Sequence, residues 1–104
     1  MTNSKLLSLL GLAKKAGKLS LGHDAVIEAI GRRKAHLIVL AADASERIER
    51  EMKREIAFRQ SDIPLIRISE TMERIGYALP HKVGVVSVND ASFAAAVINR
   101  YEEG

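Results

Sequence analysis

Gly22-His23-Asp24 is the point in this chain where residue types and spacing could do chemistry. Leu19 and Leu21 alternate with Lys18 and Ser20 ahead of it, the period of a half-buried strand. Ala25, Ile27, Ala29 and Ile30 follow at spacing that shifts toward a helix. Gly22 supplies the sharp turn, and Asp24 is the expected helix cap. A helix that begins here presents free backbone N–H groups and the positive end of its dipole, a seat for a phosphate or a base edge. Lys14, Lys15 and Lys18 precede the turn, and Arg32, Arg33 and Lys34 follow the helix. The expected chemistry is therefore anion recognition at a positive rim.

Other chemistries find less support. Gly11 to Lys18 has five residues between its glycines where a phosphate-binding P-loop has four, lacks Ser or Thr after the lysine, and follows a helix pattern instead of a strand. His23, His36 and His81 lie far apart without metal-ligand spacing, so no metal site is expected. The absence of cysteine removes disulfides, thiol nucleophiles and thiolate metal sites. No nucleophile elbow or paired-acid motif can be picked out, which points away from an enzyme and from a cofactor. With two Phe, two Tyr and no Trp, a platform for stacking single-stranded bases is not expected either.

The elements that must position Gly22 can be read in order. Asn3 or Ser4 is placed to cap a first helix with Leu6, Leu9, Leu10 and Ala13 on its apolar stripe, and Gly17 to end it. The strand and helix around Gly22 come next. Residues 36–41, HLIVLA, form a nearly continuous apolar run, as a strand buried on both faces requires. Asp43 with Glu46 resembles a capping box for a third helix, whose stripe is Ile48, Met52 and Ile56. Glu46–Arg50, Glu49–Lys53 and Glu55–Arg59 are favourable pairs on its solvated surface.

Ser61, Asp62 and Pro64 mark a loop, and Leu65–Ile68 a third strand. Ser69 is placed to cap a short helix through Tyr77. An irregular segment around Leu79-Pro80-His81 then leads into a fourth strand over Val83–Val88. Asp90 caps a last helix with Ala94, Val97, Ile98 and Tyr101 facing inward. The order α-β-α-β-α-β-α-β-α predicts an α/β fold, with helices on both faces of a central four-stranded sheet.

At 104 residues, 47% hydrophobic and 28% charged, the chain reads as one soluble globular domain over 1–104. Leu6–Leu12 is broken by Ser8 and Gly11 and has no cleavage site, and no apolar run approaches membrane-span length. These features, with the lack of cysteine, fit the expectation of a cytoplasmic protein that does not engage membranes. The net charge is +3 and the pI about 9.5. Residues 1–36 hold seven Lys/Arg against two Asp/Glu, and residues 37–104 nine against eleven. That asymmetry predicts a basic face and an anionic partner.

Four pieces in order resemble the kink-turn-binding ribosomal-protein superfamily of the archaeal L-seven-Ae type, and within it the small bacterial YlxQ-like branch. They are LLGLAKKAGKLSLG at 9–22, AIGRRKAHLIVLAADAS at 29–45, DIPL at 62–65 and ETMERIGYALPHKVGVVSV at 70–88. The resemblance covers about residues 6–100. It implies a three-layer α/β/α sandwich with a mixed sheet, and an RNA-binding edge. In the family the glycine-headed helix start reads sheared G·A pairs of a bent RNA, and the loop before the last strand holds a protruding nucleotide. Carried over by position, the first region is Gly22, His23, Asp24, Ala25 and Glu28; the second is Ile75, Gly76, Ala78, Leu79 and Pro80. Asp43 matches the aspartate after the second long strand, and Arg74 a basic residue leading into the loop.

The chain departs from the family pattern G-T-N-E-x-x-K at the helix start. Asp24 loses an amide donor, Ala25 loses an acceptor, and Glu28 reverses a charge. A bidentate base contact is worth about 1–3 kcal/mol of discrimination, so the base-reading motif is degenerate. Pro80 replaces the loop's usual glycine and removes a donor.

The resemblance and the basic balance together predict a non-enzymatic, ribosome- or translation-associated protein bound to structured RNA, ribosomal or kink-turn-like. Its phosphate contacts are expected from Lys14, Lys15 and Lys18. The alternative is a protein-interaction module on the same fold, contacting a translation factor or ribosomal protein. Plainer readings stand beside the site assignments: Asp24 as a helix cap, Glu28 as a solvated residue, Ile75 and Leu79 as core, and Arg32, Arg33 and Lys34 as a solvated turn.

Overall fold

A computed structural model describes residues 4–103. The chain forms α1 (Ser4–Lys15), β1 (Leu19–Leu21), α2 (His23–Gly31), β2 (Leu37–Leu40), α3 (Glu46–Phe58), β3 (Leu65–Arg67), α4 (Met72–Ala78), β4 (Val85–Val88) and α5 (Ala91–Glu103). The alternation is the one the sequence predicts. Asn3, one of the two residues expected to cap α1, lies outside the described range.

The strands form one sheet in the order β1-β4-β2-β3. β4 runs antiparallel to both β1 and β2, while β2 and β3 are parallel, so the sheet is mixed. α2 packs on α3 and over β1 and β4; α1 packs on α4 and α5 on the other face. The two central strands, β2 and β4, are buried at every position, because helices cover both faces. Leu6, Leu10, Val26, Ile30, Met52, Ile75, Leu79 and Val97 fill the layers between helices and sheet. Ile48 and Ile56 flank Met52 and are partly buried, so the narrow stripe of α3 packs as expected. Tyr101 does not face inward: it is 40% exposed, near the end of α5.

Three helices end alike. Gly17, Arg33 and Gln60 have φ of 73°, 58° and 53°. Each terminus makes the same pair of backbone bonds: Gly17 N to Lys14 O and Lys18 N to Ala13 O; Arg33 N to Ile30 O and Lys34 N to Ala29 O; Gln60 N to Ala57 O and Ser61 N to Ile56 O. These are Schellman closures, in which a left-handed residue lets the last carbonyls find donors as the chain turns back toward the sheet. All three lie at the end of the sheet where β1, β2 and β3 begin.

Candidate nucleic-acid interface

The opposite end of the sheet, where β1, β2 and β3 finish and β4 begins, gathers most of the candidate residues. Gly22 leaves β1 with φ 90° and ψ 167°, a conformation nearly confined to glycine. Its N–H donates to Val85 O at 2.9 Å, and its carbonyl accepts from Val26 N at 3.0 Å. Gly22 is therefore the N-cap of α2, not Asp24, and no side chain closes the cap. The helix starts two residues earlier than expected because the bond to β4 fixes where the chain turns. The N–H groups of the first turn are left without a side-chain acceptor, as anion binding at a helix mouth requires.

The Asp24 carboxylate instead accepts from His23 Nδ1 at 2.9 Å, and His23 Nε2 approaches Glu51 Oε1 of α3 at 3.3 Å. Asp24's hydrogen bond raises the His23 pKa above the ordinary 6.5; burial opposes it, and the charge of Glu51 adds a lesser push upward. His23 is thus clamped between two helices beside the mouth. Ala25 and Glu28 are exposed farther along α2, with Glu28 3.9 Å from Arg32 Nε.

Asp43 reaches this end from β2. Its Oδ1 accepts from Met72 N at 2.9 Å, so it ties the start of α4 instead of opening α3. Ser45 opens α3, accepting from Ile48 N at 3.1 Å, and Thr71, not Ser69, caps α4, accepting from Arg74 N at 3.3 Å. Arg74 Nε lies 3.4 Å from Oε2 of Glu70, whose residue is 2% exposed. A Cβ on Gly84 would meet Met72 Sδ at 3.3 Å and Ala44 Cβ at 3.6 Å, so the segment before β4 is drawn against α4 and the β2 exit.

Within the expected loop, Ile75 and Leu79 are 2% and 0% exposed; they are core, and their side chains hold the loop from beneath. Gly76 faces the Lys82 backbone, where a Cβ would lie 3.5 Å from Lys82 Cα. Ala78 is partly buried, and Pro80 is exposed.

Lys14, Lys15 and Lys18 are not at this end. Lys18 precedes β1, and its carbonyl accepts from Asn89 N at 2.7 Å, beyond the far end of β4. From Lys18 to Gly22 the strand covers about 13 Å at roughly 3.3 Å per residue. The rim expected from sequence is corrected accordingly: closeness along an extended chain put the lysines and the mouth at opposite ends of one strand.

Sequence reasoning missed Arg67. Its Nη1 donates to the carbonyls of Ala41, Ala42 and Ala44 at 3.0, 3.2 and 2.8 Å, and its Nη2 to Glu49 Oε1 at 2.6 Å. It fixes the turn that carries Asp43. The available signal was an arginine closing an apolar strand. Glu51 was also missed, since its contact with His23 joins two helices. Among the described residues no group of three His, Cys, Asp or Glu is placed to hold a metal ion.

The model of the ribosomal protein L7Ae/L30e/S12e/Gadd45 family matches residues 4–98. The chain is similar to the RNA-binding protein YlxQ of Enterococcus faecium, 34% identical over 86 residues, or 79% of this chain and 80% of that protein. A protein of unknown function from Bacillus halodurans has a similar structure, with TM-score 0.83 and 28% identity over 94% of this chain and 97% of that one. The Giardia lamblia 15.5kD RNA-binding protein shares the fold, with TM-score 0.69 and 22% identity over 94% of this chain and 85% of its own.

Proposed function

Because the chain belongs to the ribosomal protein L7Ae/L30e/S12e/Gadd45 family, we propose that it is a non-enzymatic protein that binds structured RNA at the Gly22 end of its sheet. The observation that carries this reading is the α2 mouth, headed by Gly22 without a side-chain cap and set at the same end as the turn and helix that Asp43 ties together. A phosphate or base edge accepts from the first-turn N–H groups of α2. The exposed segment around Pro80, with Gly76, Ala78 and Arg74 nearby, holds an adjoining nucleotide. Likeness to the Enterococcus YlxQ supports RNA as the partner.

The finer reading is a protein that works with ribosomal or kink-turn-like RNA in translation, in the cytoplasm, but with weakened kink-turn selectivity. Asp24 accepts from His23 and offers no amide, Ala25 has no polar atom, and Glu28 brings a negative charge. The protein then recognises a bent backbone more strongly than the base pairs within it.

Titration of folded RNAs with and without a kink-turn, at two salt concentrations, tests both levels. Binding to both with a modest preference for the bent RNA is expected. No binding at low salt contradicts RNA binding; equal affinity removes kink-turn preference alone.

The carboxylates of Asp24, Glu28 and Glu51 near the mouth favour a second reading, in which this end docks a basic ribosomal protein or translation factor. Asp24→Lys with Glu28→Lys separates the two. It strengthens RNA binding under the first reading and abolishes partner binding under the second.

A further inference from the structure

We propose that the end of the sheet opposite Gly22 is a second RNA-contacting surface, one that grips phosphates between three helix-to-strand turns and stacks an unpaired base on Phe58. The inference rests on the reading that the protein binds RNA. It concerns residues that the Gly22 end does not use.

The topology brings the turns together. His36 N donates to Val88 O at 2.8 Å and Asn89 N to Lys18 O at 2.7 Å, so the start of β2 and the residue before β1 hang from the last residue of β4 and the one after it. The Asn89 side chain braces the join, donating to Ser20 Oγ at 2.9 Å and accepting from Ser87 Oγ at 2.8 Å. Arg33 Nη2 donates to Arg59 O at 3.1 Å, and a Cβ on Gly31 would lie 3.2 Å from Arg59 Nη2, so the ends of α2 and α3 abut. The turns after α1, α2 and α3 therefore share one end of the molecule.

That end is basic. The first turn brings Lys14, Lys15 and Lys18; the second brings Arg32, Arg33 and Lys34. Arg59 ends the third helix. Of the nearby acids, Glu55 holds Arg59 Nε at 2.8 Å and Asp90 Oδ2 accepts from Phe93 N at 2.8 Å, while Asp62 is exposed in the third turn among the more numerous cations. Lys15, Lys18 and Lys34 are exposed and have no ion pair among the described residues. Unpaired cations from separate turns over a braced sheet edge suit a polyanion, whose release of counterions drives binding.

Phe58 identifies the polyanion as RNA with an unpaired base. It is 73% exposed at the last residue of α3, and the Arg59 guanidinium carbon stands 5.3 Å from its ring centroid. An aromatic face beside a guanidinium, amid backbone-binding cations, is how proteins hold single-stranded nucleotides. The sequence shows few aromatics, but one suffices to hold one base. With both ends occupied, the protein joins two segments of one folded RNA.

The test uses fluorescence anisotropy with a plain RNA hairpin lacking an internal loop, either blunt or carrying a single-stranded tail. Wild type is expected to bind the tailed hairpin. The Lys15→Gln, Lys18→Gln, Lys34→Gln variant should bind it more than about tenfold more weakly at low salt. Its log-affinity against log-salt slope should be shallower by about 2. Phe58→Ala should lose about tenfold on the tailed hairpin and nothing on the blunt one. An unchanged slope in the lysine variant overturns the inference. So does wild type that binds a looped RNA but ignores the plain hairpin, which leaves the Gly22 reading intact. Failure of wild type to bind either RNA defeats the RNA reading and the inference with it.

Discussion

Glycine is needed at 22 for its backbone conformation, not for space. A Cβ there would touch nothing within 4 Å, yet φ 90° with ψ 167° is strained for any side chain. Gly22→Ala should therefore cost about 1–3 kcal/mol in urea unfolding and weaken RNA binding, since the first-turn N–H groups would lose their aim. A value near zero would mean that the turn relaxes freely. His23 gives a pH signature. Its folded pKa lies above 6.5, chiefly through Asp24's hydrogen bond and then Glu51. The stabilisation is complete below the unfolded value and is lost as pH rises through the raised one. His23→Gln should flatten that part of the pH–stability profile, measured by thermal melts from mildly acidic to mildly alkaline buffer; an unchanged slope would contradict it. Residue-level roles were the least legible in the sequence. Asp24 has the chemistry of a cap, but the Gly22–Val85 bond, made to a strand some sixty residues later, decides where α2 begins.

Elements were more legible, because burial writes itself into composition. The runs at 37–40 and 85–88 are apolar throughout as both faces are covered, and Asp90 caps α5 through a local bond to Phe93 N. Asp43 was not legible, since its acceptor role toward Met72 crosses from β2 to α4. Where helices end, glycine is used at 17 but not at 33 or 60. Gln60, at φ 53°, has no hydrogen bond in which its side chain takes part among the described residues. Gln60→Gly should stabilise the protein by about 1 kcal/mol, read as a rise in the denaturation midpoint. Loss of stability would show that the Gln side chain outweighs the strain. Arg67 acts between elements. Arg67→Lys retains the charge but loses the planar fork over three carbonyls, and should cost about 1–3 kcal/mol in the same assay. The change should also loosen the Asp43 turn, visible as faster hydrogen exchange at Met72 N; unchanged exchange would contradict that role.

At the scale of the molecule, the sequence shows the charge asymmetry between residues 1–36 and the remainder, but not its direction in space. The basic turns and the α2 mouth alternate along the chain, and antiparallel pairing with β4 sorts them to opposite ends of the sheet. The mouth end carries Asp24, Asp43 and Glu51 with Arg74, Lys82 and clamped His23, while the other end carries Lys15, Lys18 and Lys34. A reader of sequence sees Lys18 four residues from Gly22; a strand makes those four residues a separation. Shape recognition is therefore expected at one end and salt-dependent attraction at the other. Backbone amide shifts during titration with a folded, kink-turn-containing RNA test this most directly. RNA binding at the Gly22 end requires large changes at His23, Asp24 and Ala25, at Leu79 and along 81–84. Strong binding that leaves those amides unmoved would contradict it.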